Sequence, residues 1–166
     1  MTIPAIMLLA CTPAWGWTTP APVGATSQDS LDPRLAVDAD GKAHLVWRER
    51  VGGTTFQIWC TSNAAGTFVP PVQISQGGSV HCYSPVVAVD QGNIHVAWAS
   101  DQSGSNFEIW YRENSAGTWG TIFNASNTAI KSLRPAITAR GGPATGANWQ
   151  VRNGKDLRDE TPHQAS

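Results

Sequence analysis

An internal repeat constrains this chain more than any other feature. Pro33-Arg-Leu-Ala-Val-Asp38 is echoed by Pro85-Val-Val-Ala-Val-Asp90, 52 residues later. His44 and His95, Trp47 and Trp98, Ile58 and Ile109, Trp59 and Trp110, and Gly66 and Gly117 each stand 51 apart. Several matches at one spacing define a unit. A period of this length marks architectures in which each unit is one supersecondary element that buries its faces against its neighbours. The register extends outward, because Trp17, Phe68 and Trp119 are also 51 apart. Trp17–Val23 therefore reads as the last strand of a preceding unit, and Leu133–Thr138 as the first strand of a following one.

Each unit reads as four strands. In the first, Arg34–Asp38, Ala43–Arg48, Thr55–Thr61 and Phe68–Ser75 are rich in Val, Ile, Trp, Phe and Thr, and are bounded by Gly, Asn, Asp or Pro. Asp38-Ala-Asp-Gly41 and Asp90-Gln-Gly-Asn93 carry tight-turn chemistry. No segment holds a helical period over eleven residues. In the third strand Phe56, Ile58 and Cys60 alternate with Gln57 and Trp59, so both faces carry bulk, as a sheet covered on both sides requires. Four strands in about 51 residues is the content of one propeller blade. The expected fold is all-β: a partial β-propeller with two complete four-stranded blades and flanking part-blades.

The expected boundaries follow from the register. Residues 1–11 read as a leader, 12–32 as an N-terminal part-blade strand and linker, 33–84 as the first blade, 85–132 as the second, and 133–142 as the start of a third. Residues 143–166 are polar, with few large aliphatics, and read as a disordered or frame-shifted tail. Two blades cannot close a ring that takes about four to eight. The chain is therefore expected either to close one by self-assembly or to be a piece of a longer propeller.

Met1–Ala10 is apolar and lacks Lys and Arg, and Leu8-Leu9-Ala10-Cys11 resembles a bacterial lipobox. The run is too short to span a bilayer. The expectation is an extracytoplasmic protein, secreted or held to the envelope through lipid on Cys11, with no other membrane contact. Export permits a disulfide between the remaining pair, Cys60 and Cys82. A net charge of −1 and a pI near 6.4 give no electrostatic basis for nucleic acid.

The repeats resemble the bacterial sialidase-like, BNR-type propeller repeats. The matching residues are Pro33–Asp38 with His44 and Trp47, Pro85–Asp90 with His95 and Trp98, then Glu108-Ile-Trp-Tyr111 and Gly117-Thr-Trp119. The resemblance covers about residues 17–138. The family's Asp-box is degenerate here, since Ser62-Asn-Ala-Ala-Gly66-Thr-Phe68 and Glu113-Asn-Ser-Ala-Gly117-Thr-Trp119 both lack its Asp.

For activity, the resemblance implies an arginine cluster for a substrate carboxylate, a Tyr–Glu nucleophile pair and an acid/base Asp. Arg34 and Arg134 flank the repeat Pro on opposite sides. Tyr111, near Glu113, aligns with Cys60. No catalytic residue is assigned. Glycan recognition is the expected activity, since lectin-like propellers set aromatic faces against sugar C–H surfaces and polar groups against hydroxyls. The expected ligand-binding residues are Arg48, Glu49 and Arg50, then Asp101, Gln102 and Asn106 of the next blade, with Trp59 and Trp110 as platforms. A protein-binding scaffold, and a piece of a glycoside hydrolase whose catalytic residues lie in other blades, stand as alternatives. No cofactor and no metal are expected: His44 and His95 sit in different blades, and Asp38–Gly41 lacks the downstream Glu of a calcium loop.

Overall fold

The computed structural model describes residues 21–24, 28–63, 66–104, 106–140 and, for the backbone alone, 148–153. Cys11, Trp17 and residues 154–166 lie outside these. Among the described residues all regular elements are strands: β1 (Ser30–Val37), β2 (Ala43–Gly52), β3 (Thr55–Ser62), β4 (Val72–Gln73), β5 (Cys82–Asp90), β6 (Asn93–Ser100), β7 (Glu108–Ser115), β8 (Thr118–Trp119), β9 (Phe123–Asn124), β10 (Pro135–Arg140) and β11 (Asn148–Asn153). They form three antiparallel sheets. The first runs β1-β2-β3-β4, the second β5-β6-β7-β8 with β9 also on β7, and the third β10-β11.

Turn chemistry sets the hairpins. Gln91 and Gly92, at φ 47° and 80°, form the two-residue turn between Asp90 and Asn93, and Ala116 and Gly117, at 49° and 85°, form another between Ser115 and Thr118. Positive φ at both central residues matches the twist of the flanking strands. The Asp38 carboxylate accepts from the N–H groups of Asp40 and Lys42 and closes the β1–β2 turn. The Lys42 N–H bond, foremost, holds the Asp38 pKa below its usual value.

The fourth strands are shorter than expected. Pro70 and Pro71 have no N–H to give the ladder, so pairing on β3 is confined to Val72 and Gln73. In the second sheet the corresponding stretch divides into β8 and β9.

Two expectations are corrected. Residues 148–153 belong to no disordered tail: Asn148–Asn153 pairs with β10 over six partners, from Pro135↔Asn153 to Arg140↔Asn148. A low-hydrophobicity window of 24 residues hides one short Asn-Trp-Gln-Val-Arg-Asn strand. Trp149 stands opposite Ala139, the place that Ala43 takes opposite Val37, so it is not the counterpart of Trp47.

The second correction concerns the disulfide. Cys60 and Cys82 are separate, buried free thiols. Cys82 Sγ lies 3.8 Å from Gln57 Oε1 and 3.6 Å from Ser100 Oγ, while Cys60 lies three residues further along β3.

The sheets stack with one polarity. On the first sheet, Val46, Ile58 and Cys60 share a face by the pairing Val46↔Cys60 and the two-residue alternation. They pack with Ile74 against Cys82, Ile94, Val96 and Trp98 of the second sheet, joined at the margin by Val87, Val89 and Trp110. The other face of the second sheet, with Ala97, Ala99 and Ile109, packs against Leu133 and Ile137 at the third. Repeat-equivalent positions do equivalent work: Ile58 and Ile109 each face the following sheet, and Trp98, the counterpart of Trp47, faces the preceding one. Arg112 ties the first interface by donating from Nη1 to Ile74 O at 2.9 Å.

A side-chain latch also recurs. Ser75 Oγ accepts from Ile58 N–H at 2.9 Å and donates to Gln57 Oε1 at 2.5 Å. Its counterpart Ser126 accepts from Ile109 N–H at 2.8 Å and donates to the Glu108 carboxylate. Each latch fastens the chain leaving a sheet to that sheet's third strand.

Candidate functional site

The β2–β3 and β6–β7 hairpins and the crossovers into β5 and β10 gather at one end of the stack, because antiparallel connections of this order return there. Cations and rings alternate along that end. The Arg48 guanidinium lies 4.6 Å from the Phe56 ring centroid and 5.1 Å from that of Tyr83. The Arg50 guanidinium lies 5.5 Å from the Phe56 ring centroid. Tyr83 meets His81 at 6.4 Å, stacked, and Phe107 at 5.5 Å, tilted. Lys131 Nζ sits 5.0 Å over Phe107. Each cation–ring contact contributes about 0.5–1 kcal/mol when partly exposed. Together they hold a run that crosses from the first sheet to the third.

Carboxylates balance the cations. Arg48 Nε donates to Asp32 Oδ2 at 2.7 Å, and Arg50 Nη2 pairs with Asp29 Oδ2 at 2.6 Å. Asp101 Oδ1 accepts from the His81 backbone N–H at 2.7 Å. Three buried polar atoms here, Arg50 Nε, His81 Nδ1 and Gln102 Oε1, have no hydrogen-bond partner among the described residues. Five others, His44 Nδ1, Trp59 Nε1, Asp90 Oδ2, His95 Nε2 and Trp98 Nε1, lie elsewhere in the sheets, so the three are places for water or for a ligand's polar groups without singling out the rim.

Backbone strain recurs along the same rim. Asp32, Ser84 and Arg134 hold φ of 54°, 50° and 58°, and each precedes the repeat proline. The left-handed region costs a non-glycine residue about 1–2 kcal/mol, and the proline ring restricts its predecessor further. In the first two sheets the strain sits in a β-bulge, between Leu31 and Arg34 and between Tyr83 and Val86. Strain kept at one place in three successive units is the pattern found at sites that aim side chains.

The expected residues divide. Arg48, Arg50, Asp101 and Gln102 come together on this rim. Asn106 is near it, with Nδ2 bonded to Ala129 O at 2.9 Å. Glu49 is buried on the opposite face, where its carboxylate accepts from Trp47 Nε1 at 2.9 Å. Trp59 pairs with Trp47 on that same opposite face, away from the rim. Trp110 packs at the margin of the first interface and donates to Ser100 O at 3.3 Å, which spends its ring on the sheets. The rings on the rim are Phe56, Tyr83 and Phe107. Sequence reasoning passed over Tyr83, Phe107, His81 and Lys131. The usable signal was the residue before each repeat proline, which marks the rim in all three units.

The Tyr111–Glu113 pair lies elsewhere, inside the second sheet. Tyr111 OH is 2.8 Å from His95 Nδ1 and donates to Glu113 Oε2 at 3.4 Å. Burial, then the Glu113 charge, pushes the Tyr111 pKa up, away from the phenolate a nucleophile needs. Burial pushes the His95 pKa down. His44, its repeat counterpart, meets Asp38 Oδ2 at 3.3 Å. No protein-family model and no curated protein matches this chain.

Proposed function

We propose that this chain is a run of β-propeller blades that recognises a neutral glycan at its hairpin end, outside the cytoplasm and without chemistry of its own. The propeller reading is supported by three sheets stacked with one polarity and by first strands β1, β5 and β10 that neighbour one another in turn. The leader-like Met1–Cys11 supports export.

The observation that carries the ligand is the rim itself. Tyr83 and Phe107 are half-buried rings tilted against each other, and the faces of such rings suit the C–H surface of a sugar. Paired Arg–Asp groups and the unpartnered atoms of Arg50, His81 and Gln102 offer donors and acceptors for hydroxyls. The rim's cations, Arg48, Arg50, Lys131 and Arg134, are nearly matched by Asp29, Asp32 and Asp101. A polyanion gains little here, and a neutral polyol gains hydrogen bonds.

Saturation-transfer NMR with neutral oligosaccharides tests the reading. Saturable binding that weakens about tenfold in a folded Tyr83→Ala variant is the expected result. Absence of saturable binding across neutral sugars, or equal binding by the variant, refutes it.

A further inference from the structure

We infer that Lys131 is a displaceable cover over the Phe107 ring: a neutral sugar reaches that ring only by moving the ammonium aside, so this side chain limits the affinity of the rim for sugar. The inference rests on the glycan reading of the rim and names the residue that competes with the ligand there.

Two cations stand over the rim's two half-buried rings, and they are held in different ways. The Arg48 guanidinium lies 5.1 Å from the Tyr83 centroid and 4.6 Å from that of Phe56. Its Nε donates to Asp32 Oδ2 at 2.7 Å, and its side chain is only 17% exposed. Moving it would break a charge-assisted hydrogen bond and two ring contacts at once. Lys131 Nζ lies 5.0 Å from the Phe107 centroid, and the residue is exposed. Among the described residues its ammonium makes no ion pair and donates no hydrogen bond, so the ring alone holds it. One cation is a fixed pillar and the other is loose.

The backbone beneath Lys131 does not share this freedom. Ser132 N–H donates to Phe107 O at 2.7 Å, Thr128 Oγ1 donates to Ile130 O at 2.8 Å, and Asn106 Nδ2 donates to Ala129 O at 2.9 Å. Ser132 is fully buried. The loop therefore keeps Lys131 beside Phe107, while its flexible stem lets the ammonium swing away. Phe107 is held too, because it packs against Ala97, Ala99 and Ile109 and meets Tyr83 at 60°. Lys131 is the exposed group set over the ring, so a sugar's C–H surface and the ammonium compete for one place. Water solvates the departing ammonium, so displacing it costs only the ring contact. Such a contact at an exposed site corresponds to about a two- to fivefold change in affinity.

Proton NMR of the full chain reads the cover directly, because methylene protons over an aromatic face shift upfield. The Lys131 ε-protons are expected upfield in the free protein and at their ordinary position in Phe107→Leu. Titration with neutral trisaccharides of glucose and of N-acetylglucosamine is expected to return them toward that position as the rim saturates. Lys131→Ala, with wild-type circular dichroism, is expected to bind the same trisaccharides about two- to fivefold tighter than wild type, and Lys131→Arg, which restores a cation over the ring, no tighter. Unshifted Lys131 protons in the free protein overturn the inference. So does a Lys131→Ala variant that binds no tighter, or a Lys131→Arg variant that does. If the trisaccharides bind, weakened by Tyr83→Ala, while the upfield shift persists at saturation, the inference falls alone. If they bind neither wild type nor Lys131→Ala, it falls together with the glycan reading.

Discussion

Replacing Gln57 with alanine removes the side chain that pins the crossover between the first two sheets. Gln57 is 1% exposed, and its amide reaches four crossover groups. Nε2 donates to Val80 O at 2.8 Å and to Gly78 O at 3.4 Å, while Oε1 accepts from Ser75 Oγ at 2.5 Å and from Gly77 N–H at 3.2 Å. Gly78 is exposed, so water replaces that bond at little cost. The bonds to Val80 and Ser75 are short and sheltered. At about 1 kcal/mol for each lost bond, plus the penalty for partners left unpaired, the change costs about 2–3 kcal/mol. For a chain of this size that lowers Tm by about 6–9 °C. Gln57→Glu should cost at least as much, because it sets a carboxylate against two carbonyl oxygens. The second sheet carries Glu108 at this position but offers it Ser126 Oγ and Thr128 N–H, both donors. Thermal and denaturant unfolding of the three proteins measures the ordering. A Gln57→Ala loss below about 0.5 kcal/mol, the scale of ordinary surface changes, would show that the latch holds nothing, and so would a Gln57→Glu variant as stable as wild type.

Two further outcomes follow from the core. Burial lowers His95 below its ordinary value of 6.5, against smaller opposing effects from Glu113 and Asp90, so the unfolded chain takes up a proton that the folded chain refuses. The stability from this group is full above that value and falls as pH drops below it. Denaturant midpoints should fall across that window and flatten in His95→Gln, whereas Asp38 acts only lower, below its ordinary 3.8. Burial raises the thiols of Cys60 and Cys82 to about 12 and about 11, so both should resist a thiol reagent in the native protein and react once it is denatured. A native bridge detected by mass, or rapid native labelling, would overturn that assignment.

The four-strand pattern of the sheets was legible because it is written in backbone chemistry. Glycine-bearing turns and β-branched runs placed β2, β3, β6 and β7 within a few residues. The fourth strand was overread because aromatic and β-branched content says nothing about missing N–H groups at Pro70 and Pro71. The site was legible only in part. Hairpin position located Arg48, Arg50, Asp101 and Gln102, since loop order alone brings those hairpins to one end. Which rings join them depends on the face each strand presents. The alternation put Trp59 and Trp110 on stacking faces, and Tyr83 reached the rim through a bulge that composition does not signal.

The recurring serine latch has a consequence for how such a chain is made. Each latch joins residues 17 apart, Ser75 to Ile58 and Ser126 to Ile109. A loop of that length closes at modest entropic expense, well before any contact between distant parts of the chain. The latch can therefore close within one sheet's own residues before the following sheet is made, while the face that bears Val46, Ile58 and Cys60 waits for that sheet to cover it. The growing chain thus carries an uncovered apolar face until the next strands emerge.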